Sequence, residues 1–214
     1  MGSLEMILLA IGPILLAVSL HEAAHGLVAS WLGDSTAKDL GRLTANPIKH
    51  IDPVGTILVP LILVVTVGMP FGWAKPVPVD PRRFKNPLKD MALVALAGPA
   101  ANLIMAILWV IFLWIMLALL PNSAFSGWFK AMAVFGVQIN VVLMVLNLLP
   151  VPPLDGGRVL TGVLPANLAM LLIRFERLGM VLVILLLVSG ILGTILQPLV
   201  SGFQRMLYSV FGIM

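Results

Sequence analysis

Residues 4–32 read LEMILLAIGPILLAVSLHEAAHGLVASWL, and their reading decides the fold. The stretch is long enough and apolar enough to cross a bilayer as a helix, which takes about 20 residues. Near its end it carries His21-Glu22-Ala23-Ala24-His25, an HExxH pattern. On a helix, positions i and i+4 share a face, so both imidazoles can reach one metal ion. A glutamate between them is the usual general base toward a water activated by zinc. Ionisable groups at membrane depth are costly and mark function by default. The first expectation is therefore a protease that works inside a membrane.

Composition supports a membrane protein. Of 214 residues, 60% are hydrophobic and only 10% charged, and mean hydropathy is +1.10. Soluble domains carry about 25% charged residues. With no cysteine there is no disulfide framework and no thiolate site. A net charge of +4 suits loops facing anionic lipid better than nucleic-acid binding. The first basic residue is Lys38, so the positive start of a cleaved signal peptide is not expected.

Apolar stretches fall near 4–32, 53–69, 91–120, 130–150 and 178–197. All but the second qualify as full spans. Residues 53–69 are bounded by Pro53 and Pro70, interrupted by Pro60, and rich in β-branched side chains. That composition predicts extended structure. Residues 70–90 carry Pro70, Pro76, Pro78, Pro81 and Pro87 and are expected to be extended or polyproline-like. A semi-polar helix is predicted over roughly 157–177, and a short interfacial tail after 198. The expected fold is an all-α polytopic bundle, a single membrane domain over 1–214. It has about four full spans, a re-entrant and partly β-like segment at 53–69, and short strands on the cytoplasmic side.

A zinc site needs a third protein ligand. His50 is the one remaining histidine, and Glu5 and Glu176 are the remaining glutamates. Glu176 lies between basic neighbours in a surface-like stretch. Asp155, after an apolar helix and before Gly156-Gly157, is the best candidate, although the same residue could be a plain helix N-cap. His21 lies roughly 25 Å beyond Leu4 along a helix, on the exit side of the first span. Asp155 reaches that side only if 53–69 does not cross. The positive-inside rule agrees. A re-entrant 53–69 puts 11 of the 13 basic residues on one face, leaving Lys130 and Arg205, whereas a fifth crossing divides them 8 to 5. This arrangement places the N-terminus outside and the metal site near the cytoplasmic surface. Arg82, Arg83 and Lys85 read as a solvated, lipid-facing basic run, His50 as a loop residue, and Asn102 as a helix-packing amide.

HEAAH at 21–25, GPAAN at 98–102 and NLLPVPPLDGGR at 147–158 together resemble the site-2 protease family of intramembrane zinc metalloproteases, in its compact prokaryotic form without PDZ or CBS domains. GRLTANPIKHIDPVGT at 41–56 and GWAKPVPVDPRRF at 72–84 are similar to one subgroup of it. The resemblance covers about residues 4 to 165. It implies one zinc ion per chain held by His21, His25 and Asp155, Glu22 as the catalytic base, and Asn147 as a residue that holds unwound substrate. The implied substrates are transmembrane segments of other proteins, cut near the cytoplasmic face, with the bilayer as the other partner. Two other classes fit the residues: a divalent-metal transporter, and a non-catalytic module that binds transmembrane helices. The extended pieces at about 36–46 and 74–79, with 53–69, could offer an edge strand to a substrate.

Overall fold

The computed structural model describes residues 3–59, 61–62, 65, 72–120 and 124–213. Its helices are α1 (Ser3–Trp31), a single turn α2 (Thr36–Asp39), α3 (Pro87–Leu119), α4 (Ala124–Asn147), α5 (Asp155–Val163), α6 (Ala166–Arg174), α7 (Glu176–Val188) and α8 (Ile191–Val210). Three of them, α1, α3 and α4, are long and apolar enough to cross a membrane. In α1 and α3 the most apolar stretch is only 28% buried. Their outer faces present Ile7, Leu93, Ile104 and Leu108, as lipid-facing helices do.

Helix α3 is the hub, touching α1, α4, α5 and α8. Ala106 and Val110 of α3 pack with Val137, Val141, Met144 and Val145 of α4 and Leu207 of α8. Close approach of α3 and α4 depends on Gly136, where a Cβ would lie 2.4 Å from the Trp109 indole. Small residues at such contacts let membrane helices pack without hydrophobic drive.

The connector from α1 to α3 leaves and returns at one end of the bundle. Ala29, near the end of α1, packs with Phe84 and with Val94 of α3. Asp34 anchors this region and is fully buried. Its carboxylate accepts from the backbone N–H of Thr36 (3.0 Å) and of Asp80 (2.7 Å), with Arg83 Nε at 3.8 Å. Arg83 is thus tied to a buried acid rather than freely solvated, while Arg82 is 90% exposed, as expected of a basic run. Residues 72–79 run as an extended strap between these anchors. Trp73 N–H donates to Gly55 O (3.0 Å) and Lys75 N–H to His50 O (2.9 Å).

Several expectations are corrected. No strand occurs among the described residues, and 36–39 is a helical turn. Within 53–69, Pro53–Leu58 form a π-helical turn, and Val59, Leu61, Ile62 and Val65 are helical; 60, 63, 64 and 66–69 lie outside the described residues. Capping explains the turn: the Asp52 side chain accepts from Val54 N–H and Gly55 N–H, with Pro53 at the first helical position. In an apolar setting a helix satisfies its own backbone, which outweighs the β-propensity of the side chains. The helix predicted over 157–177 divides at Leu164-Pro165. The span predicted over 178–197 remains a candidate fourth span but consists of two helices bent by 82°, joined through Gly190, whose φ of +76° suits glycine. The segment beyond 198, expected as a short interfacial tail, continues α8 to Val210 and buries Leu207.

Burial pushes the Asp34 carboxyl up, but its hydrogen bonds to Thr36 and Asp80 outweigh that and hold it below the usual value of 3.8. A lowered folded pKa gives stability that is present above the unfolded value and lost as pH falls through the folded one. Asp34→Ala leaves buried N–H groups unpaired and should cost about 1–3 kcal/mol at neutral pH. Thermal unfolding followed at falling pH should show wild type and variant converging below 3.8. A gap that is constant with pH would reject the anchor.

Candidate metal centre

His21 and His25 stand one turn apart on α1, and their Nε2 atoms are 3.1 Å apart. Asp155 Oδ2 lies 3.3 Å from the first and 3.5 Å from the second. Both His21 (8% exposed) and Asp155 (7%) are buried. Each imidazole is fixed from behind. Asn102 Oδ1 lies 2.6 Å from His21 Nδ1, and Val94 O lies 2.7 Å from His25 Nδ1. Carbonyl oxygens only accept, so both Nδ1 atoms carry a proton. With the rings neutral, both Nε2 lone pairs then face Asp155.

This cluster needs a positive charge. Asp155 Oδ2 is buried with no hydrogen-bond partner, and an unpaired buried carboxylate oxygen is expensive. Tetrahedral zinc with bonds of about 2.0–2.1 Å has ligand–ligand edges of ~3.3 Å. The three edges of 3.1, 3.3 and 3.5 Å match that figure. His21, His25 and Asp155 are the metal-capable group among the described residues. Room for the cluster comes from Gly98 of α3, where a Cβ would lie 2.5 Å from His21 Cε1 and from His25 Nε2.

Asp155 reaches the histidines because the chain turns back tightly after α4. A Cβ on Gly156 would lie 2.3 Å from Leu148 O, and one on Gly157 would lie 2.4 Å from Pro152 N. The two glycines therefore let α5 start against the preceding loop. Asp155 is the first residue of α5, and Leu154 holds the cap position with no side-chain bond. The N-cap reading of Asp155 is thus replaced by a carboxylate turned to the imidazoles.

Glu22 and Asn147 line the same cavity, of about 300 Å³, together with Trp73 and Val77 of the strap. Glu22 Oε2 accepts from Val77 N–H at 2.8 Å. Asn147 Nδ2 donates back to Leu143 O at 3.0 Å. His50 is elsewhere, buried, with Nε2 2.9 Å from Thr44 O. Glu176 forms a surface pair with Arg158 at 3.2 Å. The sequence marks Asn102 as a helix-packing amide that bonds a neighbour, but neither its contact with His21 nor Asn140, which accepts from it, is read there. An amide in an otherwise apolar helix was the available signal.

The model of peptidase family M50 matches residues 114–190. A Bacillus subtilis (strain 168) protein named "Putative zinc metalloprotease YwhC" is 38% identical over 200 residues, covering 92% of this chain and 88% of the relative. The chain belongs to peptidase family M50, the site-2 protease family. A Mycolicibacterium smegmatis relative, "Putative zinc metalloprotease Rip2", is 30% identical over 195 residues, covering 88% of this chain and 70% of that one. A "Putative zinc metalloprotease MJ0611" of Methanocaldococcus jannaschii is 40% identical over 67 residues, 31% of each chain. No solved structure matches.

The Gly98 cradle gives a direct test of this M50 site. Gly98→Ala should push a methyl into imidazoles that Asn102 and Val94 already hold, lowering zinc affinity at least about tenfold, a loss typical of displaced site geometry. Equilibrium dialysis against a zinc chelator measures this. Unchanged affinity would mean that the metal does not sit between these rings.

Proposed function

We propose that this chain is a zinc-dependent intramembrane endopeptidase that cleaves transmembrane segments of membrane proteins near the cytoplasmic face. The observation that carries the reading is the buried triangle of His21, His25 and Asp155 with Glu22 on the wall of the same cavity. The family and the names of the relatives support it. Zinc held by His21, His25 and Asp155 would supply Lewis acidity and lower the pKa of water to near ~7. Glu22 takes the proton from the attacking water as its oxygen bonds to the scissile carbonyl carbon. Glu22 then delivers that proton to the departing amine nitrogen as the C–N bond breaks. Asp155 and the two neutral imidazoles would offset one of the two charges of the ion, and the proton moves on the Glu22 side.

In this proposal the N-terminus lies outside and the site at the cytoplasmic end, on the charge distribution of the sequence. The ends of the 32–86 connector meet at one end of the bundle, in keeping with a re-entrant 53–69. The division of basic residues, 11 to 2, then assigns that end to the cytoplasm.

A peptide bond inside a helix is shielded, so substrate must unwind beside the strap. The strap is a restricted partner for it. Lys75 N–H is already bonded to His50 O and Val77 N–H to Glu22, and Pro76 and Pro78 have no N–H. Over 75–78 an arriving segment therefore finds no free backbone donor, and it shares the Lys75 and Pro76 carbonyls with Arg42 Nη2, at 3.0 and 3.4 Å. A full antiparallel ladder is excluded there. Asn147, which lines the same cavity, would complement the strap through its side-chain amide.

The Val77 contact also fixes one carboxylate oxygen of Glu22 and leaves the other for proton transfer. Purified in detergent with single-span membrane substrates, wild type should cleave. Glu22→Gln should bind zinc but lose about 10²–10⁴-fold in rate, as expected for a general base. Val77→Pro removes the N–H while keeping an extended backbone, which Pro78 already imposes on residue 77. Its rate should fall well below that of Val77→Ala at equal zinc content. Cleavage by Glu22→Gln at the wild-type rate would reject Glu22 as the base. Zinc flux into liposomes, with no cleavage, would favour transport.

A further inference from the structure

The protonation form of His21 is set by a chain of amides that ends on a different helix. Asn102 of α3 and Asn140 of α4 are both fully buried. Asn140 Nδ2 donates to Gly136 O at 2.8 Å, one turn back on its own helix. A backbone carbonyl can only accept, so the Asn140 amide nitrogen must face it. Asn140 Oδ1 is then turned outward and accepts from Asn102 Nδ2 at 3.0 Å. Asn102 Nδ2 also reaches Ala17 O, on α1, at 3.4 Å. Its Oδ1 is left to face His21 Nδ1 at 2.6 Å.

Each link has a direction, and the direction runs one way. Gly136 O and Ala17 O are the fixed acceptors at its ends. If Asn102 flipped, its carbonyl would meet Asn140 Oδ1 and Ala17 O, placing acceptors against acceptors. With Asn102 held, His21 carries its proton on Nδ1, and the Nε2 lone pair points at His25 and Asp155. His25 has no such relay, because Val94 O fixes it in one step.

The geometry points to Asn102 and Asn140 as positioning residues for the metal site, selecting the metal-binding tautomer of His21 from α4. Neither residue lines the cavity, and Asn140 touches no ligand. This inference rests on the metal reading proposed above. Partners behind a metal-bound histidine typically carry 10–100-fold in affinity. Loss of Asn102 should show that full effect. Loss of Asn140 should show a smaller effect of the same sign, acting through Asn102.

The chain has three histidines, so ¹⁵N-histidine labelling in detergent gives a readable spectrum. Zinc affinity by chelator competition and the tautomer in the metal-free protein would be measured for wild type, Asn102→Leu, Asn140→Leu and Asn140→Ser. Serine can donate to the carbonyl one turn back while its lone pairs face Asn102, so it should recover part of the loss. Wild type should show His21 protonated on Nδ1. Asn102→Leu should bind zinc 10–100-fold more weakly, and Asn140→Leu should mix the two tautomers at His21 alone. Affinity and tautomer within about twofold of wild type in both leucine variants would overturn the inference while leaving the metal site standing. Lower thermal stability with both readouts unchanged would overturn it as well, reducing the amides to packing. If wild type binds no zinc, the metal reading fails and the relay fails with it. If Asn140→Leu does not fold, the comparison of Asn140→Ser with Asn102→Leu still decides.

Discussion

Two imidazoles and a carboxylate lie within 3.5 Å of one another, buried at the end of a helical bundle. In so apolar a setting such a cluster survives only if every polar atom has a partner or a cation completes it. Much of the architecture follows from that requirement. Helix α3 supplies the carbonyl of Val94, the amide of Asn102 and the bare backbone of Gly98. It is also the helix that touches most of the others. The hub of the fold and the back wall of the site are therefore one element. A change that rotates α3 would disturb packing and ligand geometry together.

The strap solves a different problem. Residues 72–79 lie beside the cavity without a sheet to pair with, and unpaired extended backbone at a membrane surface is a liability. Proline at 76 and 78 removes two donors outright, and Gly55, His50 and Glu22 take those of Trp73, Lys75 and Val77. Of the carbonyls that remain over 75–78, those of Lys75 and Pro76 accept from Arg42 Nη2 at 3.0 and 3.4 Å. Over 75–78 the strap thus offers a peptide beside Glu22 acceptors but no free backbone donor, which limits strand addition there. Asp34 fixes the far end through Asp80.

The parts legible in the sequence were those set by local spacing. HEAAH needs only a helix to bring His21 and His25 together. The crossing parity of apolar stretches, combined with the scarcity of other ligands, brought Asp155 to the same end. The misreadings share a cause. β-branched side chains at 53–69 suggested extended backbone, but the Asp52 cap and the demand for internal hydrogen bonding gave helix in the described part. Hydropathy ran unbroken over 178–197 and hid the bend at Gly190, because hydropathy carries no information on φ. Asn102 and Asn140 were opaque for another reason. Their roles depend on which atoms face them from 81 and 38 residues away, and one sequence does not record that.

The same long-range contacts bear on whether the metal is resident or in transit. A transported ion must enter and leave, and transporters favour midplane sites on broken helices between repeated halves. Here the two histidines stand on one continuous helix, each clamped from behind at 2.6–2.7 Å. Clamping raises affinity by removing the rotameric freedom a ligand would otherwise lose on binding, and it also slows release. Such a centre suits an ion that stays while something else comes and goes. The cavity that His21, His25 and Asp155 share with Glu22, Val77 and Asn147 is where that exchange would take place. The last three groups are a proton acceptor and amides rather than further metal ligands. A metal-capable triangle clamped from behind, beside a carboxylate and amides that holding an ion does not require, favours a hydrolase over a carrier.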